Sequence, residues 1–356
     1  PMIPRISTVT RRRASLLGIA WVVLAAAVVS PTRGAEAASP AVERAAAEAR
    51  RQRMAAVTSW GYQLRRVDVA HIAASPFDLV VVDYARSRSR GVEHVFTAAD
   101  VRRMQTRPDG RRRIVLAYLS VGEAEWYRYY WQRGWEGASP PSWLGRMNPE
   151  WFGNFPTRFW DSDWQRILLA PDDGYLARIE SAGFDGVYLD RPDVHEEWQV
   201  ERPSARVDMI ALIERLARQA RARDPAFLVV QQNAEELLTS RALRRTIDAV
   251  AKENLIYGLA KPDQRNTPAE IAWSERHLKL AATEGRRIFV VEYLDDPALA
   301  REARAHIERQ GFVATFAPRP LHALLHEPVD RHRERVVWPE TPRPYGPLHA
   351  PRPDNY

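Results

Sequence analysis

Residues Gly183–Asp190 read GFDGVYLD, a glycine-bounded apolar run of strand length that ends on a carboxylate. In an extended segment successive side chains point to opposite faces, so Gly186, Tyr188 and Asp190 share one face while Val187 and Leu189 share the other. The same placement of an acid recurs along the chain. Asp83 closes LVVVD, Glu123 follows IVLAYLSVG, Glu253 follows DAVAK, and Glu292 and Asp295 end IFVVEYLDD. Acids gathered at one end of many strands describe the rim of an active site.

Outward from this run, strand-like segments fall near residues 57–63, 79–84, 114–120, 186–190, 227–233, 249–253, 288–294 and 312–316, with helix-length stretches between them. Within residues 207–223, Met209, Leu212, Ile213, Leu216 and Ala220 lie on one helical face. Eight strands alternating with helices predict an α/β fold, a (β/α)8 TIM barrel, whose active sites lie at the C-terminal ends of the strands. An open doubly wound sheet is the competing architecture, but no strand here is followed by a phosphate-binding glycine fingerprint. Residues 121–164 form a long insertion between strands 3 and 4, and seven of the chain's 12 tryptophans fall in it. Aromatic faces of that kind either stack on sugars or pack the insertion onto the barrel.

The barrel is expected over residues 55–326. Residues 1–37 have the pattern of an export signal peptide: Arg5 and Arg11–Arg13 precede the apolar stretch 16–29, and Ala35-Glu36-Ala37 is a small-residue cleavage site. That stretch of 14 residues is shorter than the roughly 20 of a comfortable membrane span, so the expected location is periplasmic or extracellular. A membrane association follows only if the signal is retained as an N-terminal anchor. Residues 38–54 are a helix-prone linker, and residues 327–356, with seven prolines, form a tail.

The formal charge of +7 invites a nucleic-acid reading. Five arginines and one acid of that balance lie in the first 37 residues, leaving 47 basic against 44 acidic residues elsewhere. The remaining arginines are dispersed rather than interleaved with aromatics, so no nucleic-acid partner is expected. The chain has no cysteine, which removes thiolate nucleophiles, iron–sulfur clusters and zinc–thiolate sites. No nucleophile elbow, Walker loop or zinc-hydrolase motif is present. His195 is followed by two acids without completing a metal-ligand pattern, so no metal and no cofactor are expected.

By the alternation rule Asp190 and Glu253 both face the barrel mouth, approaching each other from strands four and six, while Lys252 faces away. Two carboxylates across a cleft suit glycoside hydrolysis: one protonates the leaving oxygen while the other attacks the sugar or activates water. Asp185 precedes its strand and is read as a local cap or ion-pair partner, and Asp193 as a possible cleft residue.

The motifs WGYQL (60–64), LVVVDY (79–84), AYLSVGEAEWYR (117–128), GFDGVYLD, KENLIYG (252–258) and VVEYLDD (290–296) together resemble glycoside hydrolase family 114, the endo-α-1,4-polygalactosaminidase-like barrels, over about residues 55–320. The resemblance implies an exported endo-acting enzyme that cleaves an α-1,4-linked, galactosamine-rich exopolysaccharide by retention and without metal. It puts the catalytic aspartate on Asp190, as nucleophile, and the catalytic glutamate on Glu253, as general acid/base. Strand-end position and motif match add Tyr62, Asp83, Tyr118, Ser120, Glu123, Asn233, Glu292 and Tyr293 as substrate contacts, with Trp160 and Asp161 from the insertion. An acidic mouth would suit a cationic amino-sugar polymer. Two alternatives stand beside this reading: a catalytically silent carbohydrate-binding barrel, and a glycosidase for a different α-linked amino sugar.

Overall fold

Each apolar run ending in an acid becomes a parallel strand of one sheet. The computed structural model describes residues 40–89 and 92–325; the expected signal peptide, the proline-rich tail and His326 lie outside these residues. The sheet holds β1 (Trp60–Gln63), β2 (Leu79–Val82), β5 (Ile114–Ser120), β8 (Gly186–Asp190), β9 (Leu228–Gln232), β10 (Ala249–Glu253), β11 (Arg287–Glu292) and β12 (Val313–Phe316). They neighbour one another in chain order and every pairing is parallel. Two antiparallel pairs, β3 (Ala85–Ser89) with β4 (Val92–Val95) and β6 (Glu123–Glu125) with β7 (Asn154–Pro156), decorate the loops. All eight expected strands are present, in a nearly closed (β/α)8 barrel. At the seam, the Trp60 indole N–H of β1 donates to the Val313 carbonyl of β12 at 3.1 Å.

The period-two reading of GVYLD is realised in two separate cores. Tyr188 packs inside the barrel with Trp60, Tyr62, Tyr118 and Phe289, while Val187 and Leu189 join the larger cluster between strands and helices. Gly186 allows β8 and β9 to approach closely, since a Cβ there would lie 2.1 Å from the Leu228 carbonyl oxygen. The five apolar residues expected on one helical face are all buried in the helix Ala205–Arg223. Strand β1 starts later than expected: Val57 is buried beneath the barrel interior but is not part of the ladder.

The barrel floor is held by acids of a second kind. Asp78, Asp185 and Asp248 each stand immediately before a strand. Asp185 accepts from the Val115 and Gln105 nitrogens, both at 3.0 Å, and from Arg53 at 2.6 Å. Asp248 accepts from Arg50 Nε at 3.0 Å, Arg221 at 2.7 Å and the Val229 N–H at 2.8 Å. Acids at the N-terminal ends of barrel strands therefore serve stability, as this fold predicts. The segment 38–54 has the helical character expected of it. From Pro40 to Ala55 it is a helix whose Arg50 and Arg53 reach Asp248 and Asp185 and whose Met54 enters the barrel core. Among the described residues no helix is long and apolar enough to cross a membrane.

Candidate active site

Asp190 and Glu253 end β8 and β10, with β9 between them, and both line one cleft of about 250 Å³ at the C-terminal mouth. The backbone turns sharply after each site strand: Arg191, Asn233 and Asn254 all have positive φ, between 52° and 62°, a conformation that side chains other than glycine seldom adopt. The turn at Arg191 aims its N–H back at Asp190 Oδ1, 2.8 Å away. Tyr118, on the neighbouring β5, donates its hydroxyl to Asp190 Oδ2 at 2.7 Å. Burial, and next the nearby charge of Glu253, push the Asp190 carboxyl up to about 8, against the pull of the Tyr118 hydrogen bond.

Glu253 sits among donors. Asn233 Nδ2 donates to its Oε2 at 3.0 Å, Gln232 donates to the same oxygen, and the Tyr293 hydroxyl donates to Oε1. Its own N–H is held by Asn233 Oδ1 at 3.0 Å. Tyr62, tilted against Tyr188 inside the barrel, hydrogen-bonds Gln232 at 3.3 Å and so braces the amide that touches Glu253. Lys252 faces away, as alternation requires, and pairs with Glu235 at 2.9 Å behind the strand.

Of the expected contacts, Tyr62, Tyr118, Glu123, Asn233 and Tyr293 line the cleft beside the carboxylate pair. The other five do not. Asp83 is fully buried and forms a bidentate pair with Arg128, at 2.9 and 3.0 Å. Glu292 is also fully buried and accepts the N–H groups of Ile256, at 2.8 Å, and Tyr257, at 3.2 Å. Burial pushes its carboxyl up to about 7, against those hydrogen bonds. Ser120 Oγ accepts the Glu123 N–H at 3.1 Å, Asp161 caps the helix Ser162–Leu169, and Trp160 packs edge-on to Phe159 and Trp198. At Asp83 and Glu292 the strand-end acid cross-links a barrel loop instead of lining the cleft.

The cleft also holds residues that strand-end logic overlooks: Gln232, Glu125, Tyr127, Trp151, Arg191 and Arg319. Gln232 lies one residue before Asn233 on β9, and the AYLSVGEAEWYR motif already contained Glu125 and Tyr127. Trp151 and Arg319 come from loops with no strand pattern. Asp193 lines the cleft as well.

These additions change the electrostatics. Arg191 pairs with Asp193 at 2.8 Å and with Glu123 at 3.1 Å, and Arg128 pairs with Glu125 at 2.6 Å. The expected acidic mouth is therefore largely neutralised from within, and Asp190 and Glu253 are the cleft acids without an arginine in salt-bridge contact among the described residues. Behind the cleft, ligand atoms of His195, Glu196 and Glu236 lie within 4.8 Å of one another. His195 is buried and spends both ring nitrogens on Pro192 O, at 2.8 Å, and Glu236. That pairing ties the loop after β8 to the loop after β9.

A parallel barrel whose mouth presents two opposed carboxylates, one of them raised toward neutrality, has the architecture of glycoside hydrolases. The family model for Glycoside-hydrolase family GH114 matches residues 40–332, and the chain belongs to that family. It is 34% identical over 278 residues to an uncharacterised protein of Deinococcus radiodurans, covering 76% of this chain and 84% of that one. An uncharacterised protein of Methanocaldococcus jannaschii is 31% identical over 256 residues, 70% of each chain. The glycoside hydrolase domain of PelA from Pseudomonas aeruginosa has the same fold, with a TM-score of 0.59 at 19% identity over 76% of this chain and 98% of that domain. The protein is a glycoside hydrolase, and its substrate class is polysaccharide.

Proposed function

We propose that the chain is an endo-acting hydrolase of an α-1,4-linked, galactosamine-rich exopolysaccharide, exported to the periplasm or beyond, with Asp190 and Glu253 as its two catalytic carboxylates. The observation that carries this reading is the convergence of these residues, from β8 and β10, on one cleft. Retention follows the family resemblance: one carboxylate attacks the anomeric carbon while the other protonates the leaving oxygen, and water then releases the glycosyl group with the second residue acting as base. The resemblance makes Asp190 the nucleophile and Glu253 the acid/base. The galactosamine preference also rests on the family, because the arginine-paired rim supplies little net attraction for a cationic chain. Export rests on the basic and apolar pattern of residues 5–37.

A second reading of the roles has a specific observation behind it. Three donors surround Glu253, an arrangement suited to an anion, while Asp190 is the group pushed up to about 8. This favours Glu253 as nucleophile and Asp190 as acid. Incubating the protein with galactosamine-rich polymer, and analysing released oligomers by mass, tests the substrate; no release from acetylated or deacetylated material ends that assignment. Asp190→Asn and Glu253→Gln should each lower turnover by at least about 10³-fold with an unchanged fold. Azide fixes the order through the configuration of its product: the variant that has lost its acid/base gives the retained α-glycosyl azide, and the one that has lost its nucleophile gives the inverted β-glycosyl azide.

A further inference from the structure

The insertion 121–164 contains seven tryptophans, and six of them are structural. Trp143 and Trp164 are buried in the main core, and Trp126, Trp131, Trp135 and Trp160 pack against it. Trp151 differs: it is 42% exposed and lines the cleft. A single exposed indole is ordinary on a protein surface, as at Trp273, and it is the position in the cleft that sets Trp151 apart.

Its mounting is rigid. The turn that carries it is closed by the Asn154 N–H donating to the Trp151 carbonyl at 3.0 Å, and by the Asn148 N–H donating to the Asn154 carbonyl at 2.7 Å. Gly153 has φ +89°, and a Cβ there would lie 2.4 Å from the Trp126 ring, so the turn sits directly on that half-buried indole. Phe152 packs edge-on against Trp126, with centroids 4.7 Å apart. Asn154 also donates to Glu123 in the cleft wall at 3.2 Å. On the other side, the Arg319 guanidinium lies 5.8 Å from the Trp151 ring and 5.7 Å from the ring of Tyr293, which hydrogen-bonds Glu253.

We propose that Trp151 is a sugar-stacking platform, forming a subsite of the cleft that takes the apolar C–H face of a pyranose ring of the polymer. The inference rests on the glycosidase reading and adds the residue that grips the chain. A pre-set indole loses little freedom on binding, and a galacto-configured ring, whose axial oxygen at C4 leaves the C–H bonds at C3, C4 and C5 together on the opposite face, offers it a complementary surface. Arg319 closes the space between the platform and Tyr293, linking the subsite to the catalytic glutamate.

The test compares the parent protein with Trp151→Ala and Trp151→Phe. Affinity electrophoresis through gels containing galactosamine-rich polymer or a neutral α-galactan reads binding without turnover, while KM, kcat and Tm are measured on the polymer that is cleaved. The platform requires retardation to weaken about tenfold in Trp151→Ala, KM to rise by a similar factor, kcat to change much less, and Trp151→Phe to recover most of the loss. Equal retardation of parent and Trp151→Ala overturns it. So does an equal loss in Ala and Phe accompanied by a lower Tm, which marks a structural residue. Parent protein retarded by the neutral polymer alone overturns the galactosamine assignment, and the same comparison in that gel still decides the platform. Retardation by neither polymer overturns both.

Discussion

The Tyr118 hydroxyl donates to Asp190 Oδ2 at 2.7 Å from the adjacent strand β5, and Tyr118 pairs in register with Tyr188 two residues before the aspartate. This hydrogen bond opposes the burial that pushes Asp190 up to about 8. Removing it in Tyr118→Phe leaves the carboxyl with less support for its charge, so its pKa rises further. With Asp190 and Glu253 as the proposed catalytic pair, activity needs one proton shared between two carboxyls, and is lost at high pH when the second group ionises. The parent should lose kcat/KM as pH rises through about 8. In Tyr118→Phe that alkaline limb should move upward by about one unit, with a fall of about tenfold or more at the optimum. A limb that stays in place would show that Tyr118 does not tune the carboxylate pair.

The same shift makes a prediction about stability. Asp190 has a folded pKa of about 8 against an ordinary 3.8, so between those values the folded protein binds a proton that the unfolded chain has released. Stability therefore falls as pH rises through this window, by up to about 1.4 kcal/mol per unit, and the contribution is fully present only below the unfolded value. Asp190→Asn removes the titrating group. Its Tm relative to the parent should climb from pH 4 to pH 8 and then level off, as followed by thermal melts at fixed ionic strength. Parallel curves would mean that Asp190 is charged in the folded protein throughout.

Arg128 is fully buried and holds Asp83 and Glu125, and its guanidinium lies 5.0 Å from the Tyr127 ring. Replacing it by Met strands the buried Asp83 carboxylate, which should destabilise the protein by about 3–5 kcal/mol in denaturant unfolding. The double variant Arg128→Met/Asp83→Asn should recover part of that loss, because it removes the orphaned charge. Additive losses in the double variant would show that the pair is not coupled.

How much of this was legible beforehand depended on the kind of signal. Alternation in GVYLD and AVAKE placed Asp190 and Glu253 at the mouth and Lys252 behind, because strand geometry is set by local backbone sterics. The same rule could not separate Asp190 from Asp83 or Glu292. All three end apolar strands, and the difference lies in distant partners: Arg128 reaches Asp83 across 45 residues of chain, and the backbone after Glu253 folds back onto Glu292. Trp151 and Arg319 were invisible for another reason, since loops carry no period and their positions are decided by packing, here of Gly153 on Trp126. The acidic mouth follows from strand-end carboxylates alone and leaves out the arginines beside them: Arg128 pairs with Glu125 and Arg191 with Asp193, both close in the chain, and Arg191 also reaches Glu123 from another strand end.

Gly122 shows how the loop that steadies Asp190 depends on a residue with no chemistry of its own. It lies just beyond β5, and a Cβ there would sit 2.2 Å from the Arg191 carbonyl oxygen and 2.4 Å from Val194 Cγ1. Arg191 is the residue whose N–H steadies Asp190, and its backbone is already in the left-handed region at φ 62°. Gly122→Ala must push the Arg191–Val194 turn away, and the Asp190 carboxylate moves with it. A displacement of about 1 Å at a catalytic group costs on the order of 10²-fold in rate, whereas the turn lies at the barrel rim and its shift should cost only about 1–3 kcal/mol of stability. Activity should therefore collapse in a protein that still unfolds cooperatively, with kcat affected more than KM. Measuring kcat, KM and Tm together decides the matter: a variant with parental kcat would show that the β8 loop tolerates the displacement, and that Asp190 is positioned by its strand alone.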